Sequence, residues 1–377
     1  MSASWIEAGA AAIAARAERE LEALVAISSP SGDVRGADEA AAIVAALVPD
    51  PAVVERTPCS SPAHAQDLIA RLPGSGSKRL LLVGHLDTVV AHTGHRSLTR
   101  DGEQLVGSGC IDMKGGDVLA IGVLRALESR RAEFAEVALL LVCDEEWRLG
   151  EFVHAERFAG WDACLTFEAG ERTEDGGDAV VVERKAAGTL KIVATGRSAH
   201  SGAAPQMGRN ALLALAAAAQ AVAACHDPEG PERVTAVPTV IRAGDAFNVV
   251  PAHGELTCDV RANHLHAFDA VMAAVPAEVG GATLTAENLR RWPGMDSRAV
   301  VEPVLARAGA ALGRPIAGHA RGGASDASHF AAGIGLTVDG LGPLGGGAHA
   351  PHEYVWAWSL RTRAEVALAV ADAVLTA

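Results

Sequence analysis

Carboxylates and imidazoles stand in five short, widely separated patches of this chain: His85-Leu86-Asp87, Asp112, Glu145-Glu146, Glu168 and His349. Nearly every patch falls where a strand-like apolar run ends. Nitrogen and oxygen donors of this kind suit hard-to-borderline divalent cations. Two such cations sharing a carboxylate activate a water for attack on a carbonyl, so the pattern points to a two-metal hydrolase.

Leu80–Gly84 reads as a buried strand, which puts His85 and Asp87 at its C-terminal edge, where α/β sheets place ligands. Residues two apart on an extended segment face the same way, so His85 can ligate while Asp87 fixes its ring. An HxD pair is also common outside metal sites. Asp112 lies between Gly107-Ser108-Gly109-Cys110 and Lys114-Gly115-Gly116, which opens a helix; it could bridge two cations or merely cap that helix. Asp144, Glu145 and Glu146 close the apolar strand Val137–Cys143. Three adjacent acids repel one another unless something cationic is near. One of the two glutamates can ligate while its neighbour takes a proton from the activated water; a solvated acidic turn is the competing reading. Glu168 ends Leu165–Phe167. His349 follows Gly345-Gly346-Gly347 within His-Ala-Pro-His-Glu, where Glu353 is placed to orient it and His352 competes for its role. Each patch is weak alone, and the conjunction carries the argument.

The elements that must hold these patches suggest two domains, as 377 residues exceed a comfortable single core. A hydrophobic share of 49% with 21% charged residues is that of an ordinary globular chain. A formal charge of −14 argues against nucleic acid or anionic membrane as partner. The acids Glu7, Glu18, Glu20 and Glu22 do not fit a signal peptide, and the longest apolar run, Ala211 to Cys225, is too short to span a bilayer. Six cysteines without CxxC spacing are expected to be free thiols in a reducing cytoplasm.

Helices are expected over Trp5–Ile27, Ala37–Leu47 and Lys114–Ser129. Strands are expected over Asp67–Leu72 and Arg79–Gly84, joined by a hairpin-type Pro73–Ser77 connection, and over Val137–Cys143 and Ala163–Phe167. Apolar runs with little alternation, separated by helices, indicate an α/β sheet covered on both faces. Near Glu183 the texture changes. Gly188–Thr195, Asn210–Cys225, Val234–Arg242, Glu255–Arg261, Ala267–Val275 and Ala282–Leu289 give the order β-α-β-β-α-β of a ferredoxin-like unit. From Ala299 the helix–strand pattern returns and ends in a helix over Leu360–Leu375. The expected organisation is a discontinuous first domain, residues 1–183 and 292–377, interrupted by an insertion over 184–291.

Gly84-His85-Leu86-Asp87-Thr88-Val89, Gly107-Ser108-Gly109 with Asp112-Met113-Lys114-Gly115-Gly116, Asp144-Glu145-Glu146, Phe167-Glu168 and His349 to Val355 occur in the order found in the M20 family of metallopeptidases. The chain resembles that family over about residues 20 to 370. It is most similar to the glutamate carboxypeptidase-like branch, through Thr195 to Pro205 and Phe247-Asn248-Val249-Val250-Pro251. The resemblance implies a zinc-exopeptidase-like catalytic domain, a mixed sheet between helices, with an inserted ferredoxin-like lid and dimerisation domain. It also implies two Zn2+ per chain, with Co2+ or Mn2+ acceptable: His85 and Glu168 on one, Glu146 and His349 on the other, Asp112 bridging. Glu145 would be the general acid/base, Asp87 the partner behind His85, and the Asp112-Met113 peptide cis. His349 rather than His352 would be the ligand, by its spacing before Glu353.

In the insertion, His200 is implied to reach a partner subunit's site and stabilise an oxyanion; from the residues alone it reads as a surface histidine. Asn248 and Arg261 match substrate-holding positions, Arg261 as a carboxylate clamp. Ala320-Arg321-Gly322-Gly323-Ala324-Ser325-Asp326 departs from the family's arginine set just before Gly-Gly-Gly-Thr-Asp, so either Arg321 works one position later or the pocket differs. The expected activity is hydrolysis, by a homodimer, of an amide next to a free carboxylate, through a water shared by the two cations and activated by Glu145. Alternatives are an N-acyl-amino-acid deacylase and a non-catalytic metal-binding protein.

Overall fold

Runs such as Leu80-Leu81-Leu82-Val83 and Leu139-Leu140-Leu141-Val142 have no polar alternation because both faces of their sheet are covered. In the computed structural model, which describes residues 2–377, Leu80, Leu82, Leu139 and Leu141 point into one core. Their neighbours Leu81, Val83, Leu140 and Val142 point into another, with Phe158 and Phe330. Each such side chain contributes about 1.5–3 kcal/mol on burial. The larger core is closed by helices Ser2–Val25, Gly115–Leu127 and Ser359–Leu375.

The sheet has six strands in the order Val53–Thr57, Asp67–Pro73, Phe134–Val142, Lys78–His85, Ala163–Thr166, Thr337–Val338. Lys78–His85 runs parallel to both its neighbours, whereas Val53–Thr57 and Asp67–Pro73 are antiparallel, which makes the sheet mixed. One expectation fails here. Asp67–Pro73 and Lys78–His85 form no hairpin, because Phe134–Val142 lies between them. The glycines that suggested a turn serve a close approach: Gly74 and Gly76 donate their N–H groups to Ala135 O and Phe134 O at 2.9 and 2.7 Å. A Cβ on Gly74 would stand 2.1 Å from Phe134 O.

The chain divides into two compact units: Met1–Glu183 with Asp296–Arg321 and Ser325–Ala377, and Arg184–Met295 with Gly322–Ala324. In the second unit, strands Ala186–Thr195, Thr235–Ala243, His253–Ala262 and Ala282–Trp292 form an antiparallel sheet with a short edge strand, Glu278–Val279. By position along the chain the four long strands lie in the order second, third, first, fourth, the ferredoxin-like arrangement. Helices Ala211–Ala223 and His266–Ala273 supply Leu215, Ala218, Phe268 and Val271 to its core. Asn210 caps the first helix, its Oδ1 accepting from Leu212 and Leu213 N–H. Among the described residues no helix is long and apolar enough to cross a membrane. All six cysteines are free.

Candidate metal centre

The C-terminal ends of the parallel strands bring the patches together. His85 ends Lys78–His85, Glu145 and Glu146 follow Phe134–Val142, and Glu168 follows Ala163–Thr166, all at one edge of the sheet. The helix Gly115–Leu127 starts against this edge, and glycine permits it: a Cβ on Gly116 would lie 1.8 Å from Phe167 O. Gly84 is constrained in the same way, with Asp117 Oδ1 only 2.1 Å from the Cβ it lacks.

Asp112 is positioned by Glu353. The buried Glu353 carboxylate accepts from Gly109, Ile111 and Asp112 N–H at 2.7, 2.8 and 3.0 Å, tying the glycine-rich approach in place. This corrects the expectation that Glu353 orients His349: its oxygens serve the backbone that carries Asp112. The Asp112-Met113 peptide is cis.

Asp112 lies between two imidazoles. Its Oδ1 is 3.1 Å from His85 Nε2 and its Oδ2 3.1 Å from His349 Nε2. Glu168 Oε1 flanks His85 Nε2 at 3.9 Å, and Glu146 Oε2 flanks His349 Nε2 at 3.3 Å. Two donor triads result, His85–Asp112–Glu168 and Asp112–Glu146–His349, each within 4.8 Å, with Asp112 common to both. His349 has a left-handed backbone (φ 64°) and is half-exposed; His352 belongs to neither triad. Asp87 joins two patches. Its carbonyl lies 2.9 Å from His85 Nδ1 and its carboxylate 3.4 Å away, while Oδ1 and Oδ2 accept from Glu145 and Glu146 N–H at 3.1 and 3.2 Å.

Five acids, Asp87, Asp112, Glu145, Glu146 and Glu168, surround two imidazoles, and the electrostatics record the imbalance. Burial raises the Glu145 carboxyl to about 8, with Asp326, Glu146 and Asp112 adding to the rise. Burial likewise raises Glu146 and, well above the usual range, Glu168. Hydrogen bonds to Asp112 and Glu146 lift the His349 imidazole to about 10. Burial opposes protonation of His85, yet Asp112 and Asp87 hold it well above its ordinary value. Glu146 Oε1 is buried without a partner. Excess negative charge, an orphaned carboxylate oxygen and imidazole nitrogens facing carboxylates fit a pair of divalent cations.

Around the centre lies a charge network that the sequence reading missed. Arg148 is fully buried; its Nε donates to Asp144 Oδ1 at 3.2 Å and its Nη1 to Asp326 Oδ1 at 2.7 Å, and it stacks over Phe152. Asp144 also accepts from Ser61 N–H, and Asp67 accepts from Cys143 N–H and pairs with His154 Nε2 at 2.8 Å. The segment carrying Glu145 and Glu146 is thereby fixed from both sides. Asp144 before Arg148 at a spacing of four was the legible sign.

In the second unit, exposed His200 receives Gly202 and Ala203 N–H at Nδ1 (3.2 and 3.1 Å), which leaves the proton on Nε2. The backbone of Asn248 is adjacent, its carbonyl accepting from Ser201 N–H at 3.0 Å. Arg261 pairs with Asp259 two residues back on its own strand. In the first unit, Arg321 is already engaged by Glu171.

The model of peptidase family M20/M25/M40 matches residues 81–373. Carboxypeptidase G2 of Pseudomonas sp. (strain RS-16) is 27% identical over 67% of this chain and 61% of its own length. The succinyl-diaminopimelate desuccinylase of Rhodospirillum centenum is 31% identical over 60% of this chain and 64% of its own. The match thus spans somewhat under two thirds of either relative. Among solved structures, aminopeptidase PepT from Bacillus cereus superposes with a TM-score of 0.78 over 96% of this chain and 98% of that one, at 22% identity, a likeness of fold. The chain belongs to peptidase family M20/M25/M40.

Proposed function

We propose that the chain is a two-metal hydrolase that cleaves an amide bond next to a free carboxylate, as a carboxypeptidase or dipeptidase does. The observation that carries this reading is Asp112, one oxygen toward each of two imidazoles, with the buried Glu145 carboxyl electrostatically coupled to Asp112 and His85. His85 and Glu168 would hold one ion, Glu146 and His349 the other, and Asp112 both. When bound, the cations would supply Lewis acidity toward the scissile carbonyl and lower the pKa of water. Zinc fits the donors best; cobalt and manganese also fit.

Glu145 takes the proton of the attacking water and returns it to the leaving nitrogen. Asp87 keeps the His85 ring and the Glu145-Glu146 backbone in register. His200 offers Nε2–H to the developing oxyanion, from a second copy of the chain in a homodimer. Asn248 and Arg261 hold the substrate, Arg261 by exchanging Asp259 for the substrate carboxylate. Arg321 joins them only by leaving Glu171. Exposed Val237, Val240 and Ile241 on the edge strand of the second unit's sheet, with Leu212 and Leu213 on its helix, support pairing of two copies through that unit. Six free thiols suit a reducing cytoplasm.

Glu145→Ala should lower kcat by about 10²–10⁴-fold with bound metal unchanged; wild-type turnover in this variant would end the proposal. A desuccinylase among the relatives favours a second reading, an N-acyl-amino-acid deacylase. After metal loading, faster turnover of N-acyl amino acids than of N-blocked dipeptides would select it.

A further inference from the structure

One more set of metal-capable side chains converges outside the strand-end centre. In the second unit, Glu232, His264 and His266 bring a carboxylate oxygen and two ring nitrogens within 4.8 Å of one another. His264 Nδ1 lies 3.0 and 3.3 Å from the two Glu232 oxygens, and His266 Nε2 lies 3.3 Å from Oε1. The two rings are stacked, centroids 5.5 Å apart at 15°. We propose that these residues form a separate surface site for one divalent transition-metal ion, Zn2+ or a borderline relative, which clips the loop before strand Thr235–Ala243 to the start of helix His266–Ala273.

The backbone already holds the donors. Asn263 N–H donates to Glu232 O at 2.8 Å and Asn263 Nδ2 to Pro231 O at 3.0 Å, joining the loop to the residues just before the helix. Lys185 Nζ donates to Arg233 O at 2.6 Å, and a bridge pairs Asp227 with Val234. Buried Phe268 anchors the helix start in the core. An ion would therefore need only small side-chain rotations. Without one, two stacked imidazoles lean on a single carboxylate; a dication meets all three donors at once. Two imidazoles and a carboxylate form a borderline donor set, and side chains 68%, 71% and 28% exposed (His264, His266, Glu232) leave room for water to complete the coordination.

The test uses the full chain, stripped by chelator, equilibrated with Zn2+, freed of unbound ions and counted by atomic emission. Wild type should retain one more Zn2+ per chain than His264→Ala, His266→Ala or Glu232→Gln. All three variants should keep wild-type turnover once loaded. Glu146→Gln should lower the count independently, so that its loss adds to that of His264→Ala; the count therefore stands or falls apart from the hydrolase reading. Circular dichroism checks that the surface variants remain folded, with Glu232→Gln the mildest. Equal counts in wild type and the three variants would overturn the proposal. So would loss of turnover together with the ion, because the site would then not be separate.

Discussion

The strand-end centre and the Glu232–His264–His266 triad use the same functional groups in opposite surroundings. The His85 side chain is 1% exposed, while those of His264 and His266 are 68% and 71% exposed. In water a histidine–carboxylate pair is weakly coupled, and solvent satisfies whatever the pair does not. At the strand ends solvent reaches the half-exposed His349 but little of the carboxylates behind it, so burial raises Glu145, Glu146 and Glu168 together and leaves Glu146 Oε1 without a partner. The contrast teaches that burial, rather than donor identity, concentrates the demand for positive charge. The buried cluster should therefore be strongly coupled to metal, activity and stability, and the exposed one only locally.

The largest expected effect comes from removing the shared donor. Asp112→Ala should abolish retention of both strand-end ions and reduce hydrolysis to background, read by turnover and by metal counting in a His264→Ala background; one tightly held ion in that background would show two independent half-sites. Next is the buried arginine. Arg148→Met leaves Asp144 and Asp326 uncompensated, and urea denaturation should show a loss of about 3–5 kcal/mol. A change below about 1 kcal/mol would mean that water reaches these carboxylates.

A smaller effect is the pH dependence of the chelated chain. His349, raised from 6.5 to about 10, favours the fold below its unfolded value, and that contribution is lost as pH climbs through about 10. Glu145, raised from 4.5 to about 8, binds its proton more tightly when folded, so stability falls as pH rises across that interval. Both slopes have one sign. The ion-free chain should melt progressively lower between pH 5 and 8, below the range where buried Lys114, lowered from 10.5 to about 8, adds a slope of opposite sign, and bound cations, which replace those protons, should flatten the curve. A metal-free Tm rising with pH would contradict the assigned environments.

Much of this site was legible because its chemistry is punctuated. Apolar strands stop at His85, at the Asp144–Glu146 acids and at Glu168, and strand ends are where an α/β sheet can expose polar groups. The β-α-β-β-α-β order of the second unit was legible through its alternating strands. What escaped were relations made only in three dimensions. Pro73-Gly74-Ser75-Gly76-Ser77 has the composition of a turn, and only strand order shows that Phe134–Val142 intervenes. Glu353 sits four residues from His349 yet serves backbone some 240 positions earlier. Asp326, His154 and Asp67 carry no local sign of burial, because their partners lie 76 to 178 positions away.

The central claim is that Asp112 sits between two cations. Crystals grown with Zn2+ and measured across the zinc absorption edge test it directly. Two anomalous peaks are expected at the strand ends, apart from any at Glu232, His264 and His266: one about 2.0–2.2 Å from His85 Nε2 and an Asp112 oxygen, the other at like distances from His349 Nε2 and the second Asp112 oxygen. No peak at the strand ends, or a single peak there that Asp112 does not touch, would contradict it.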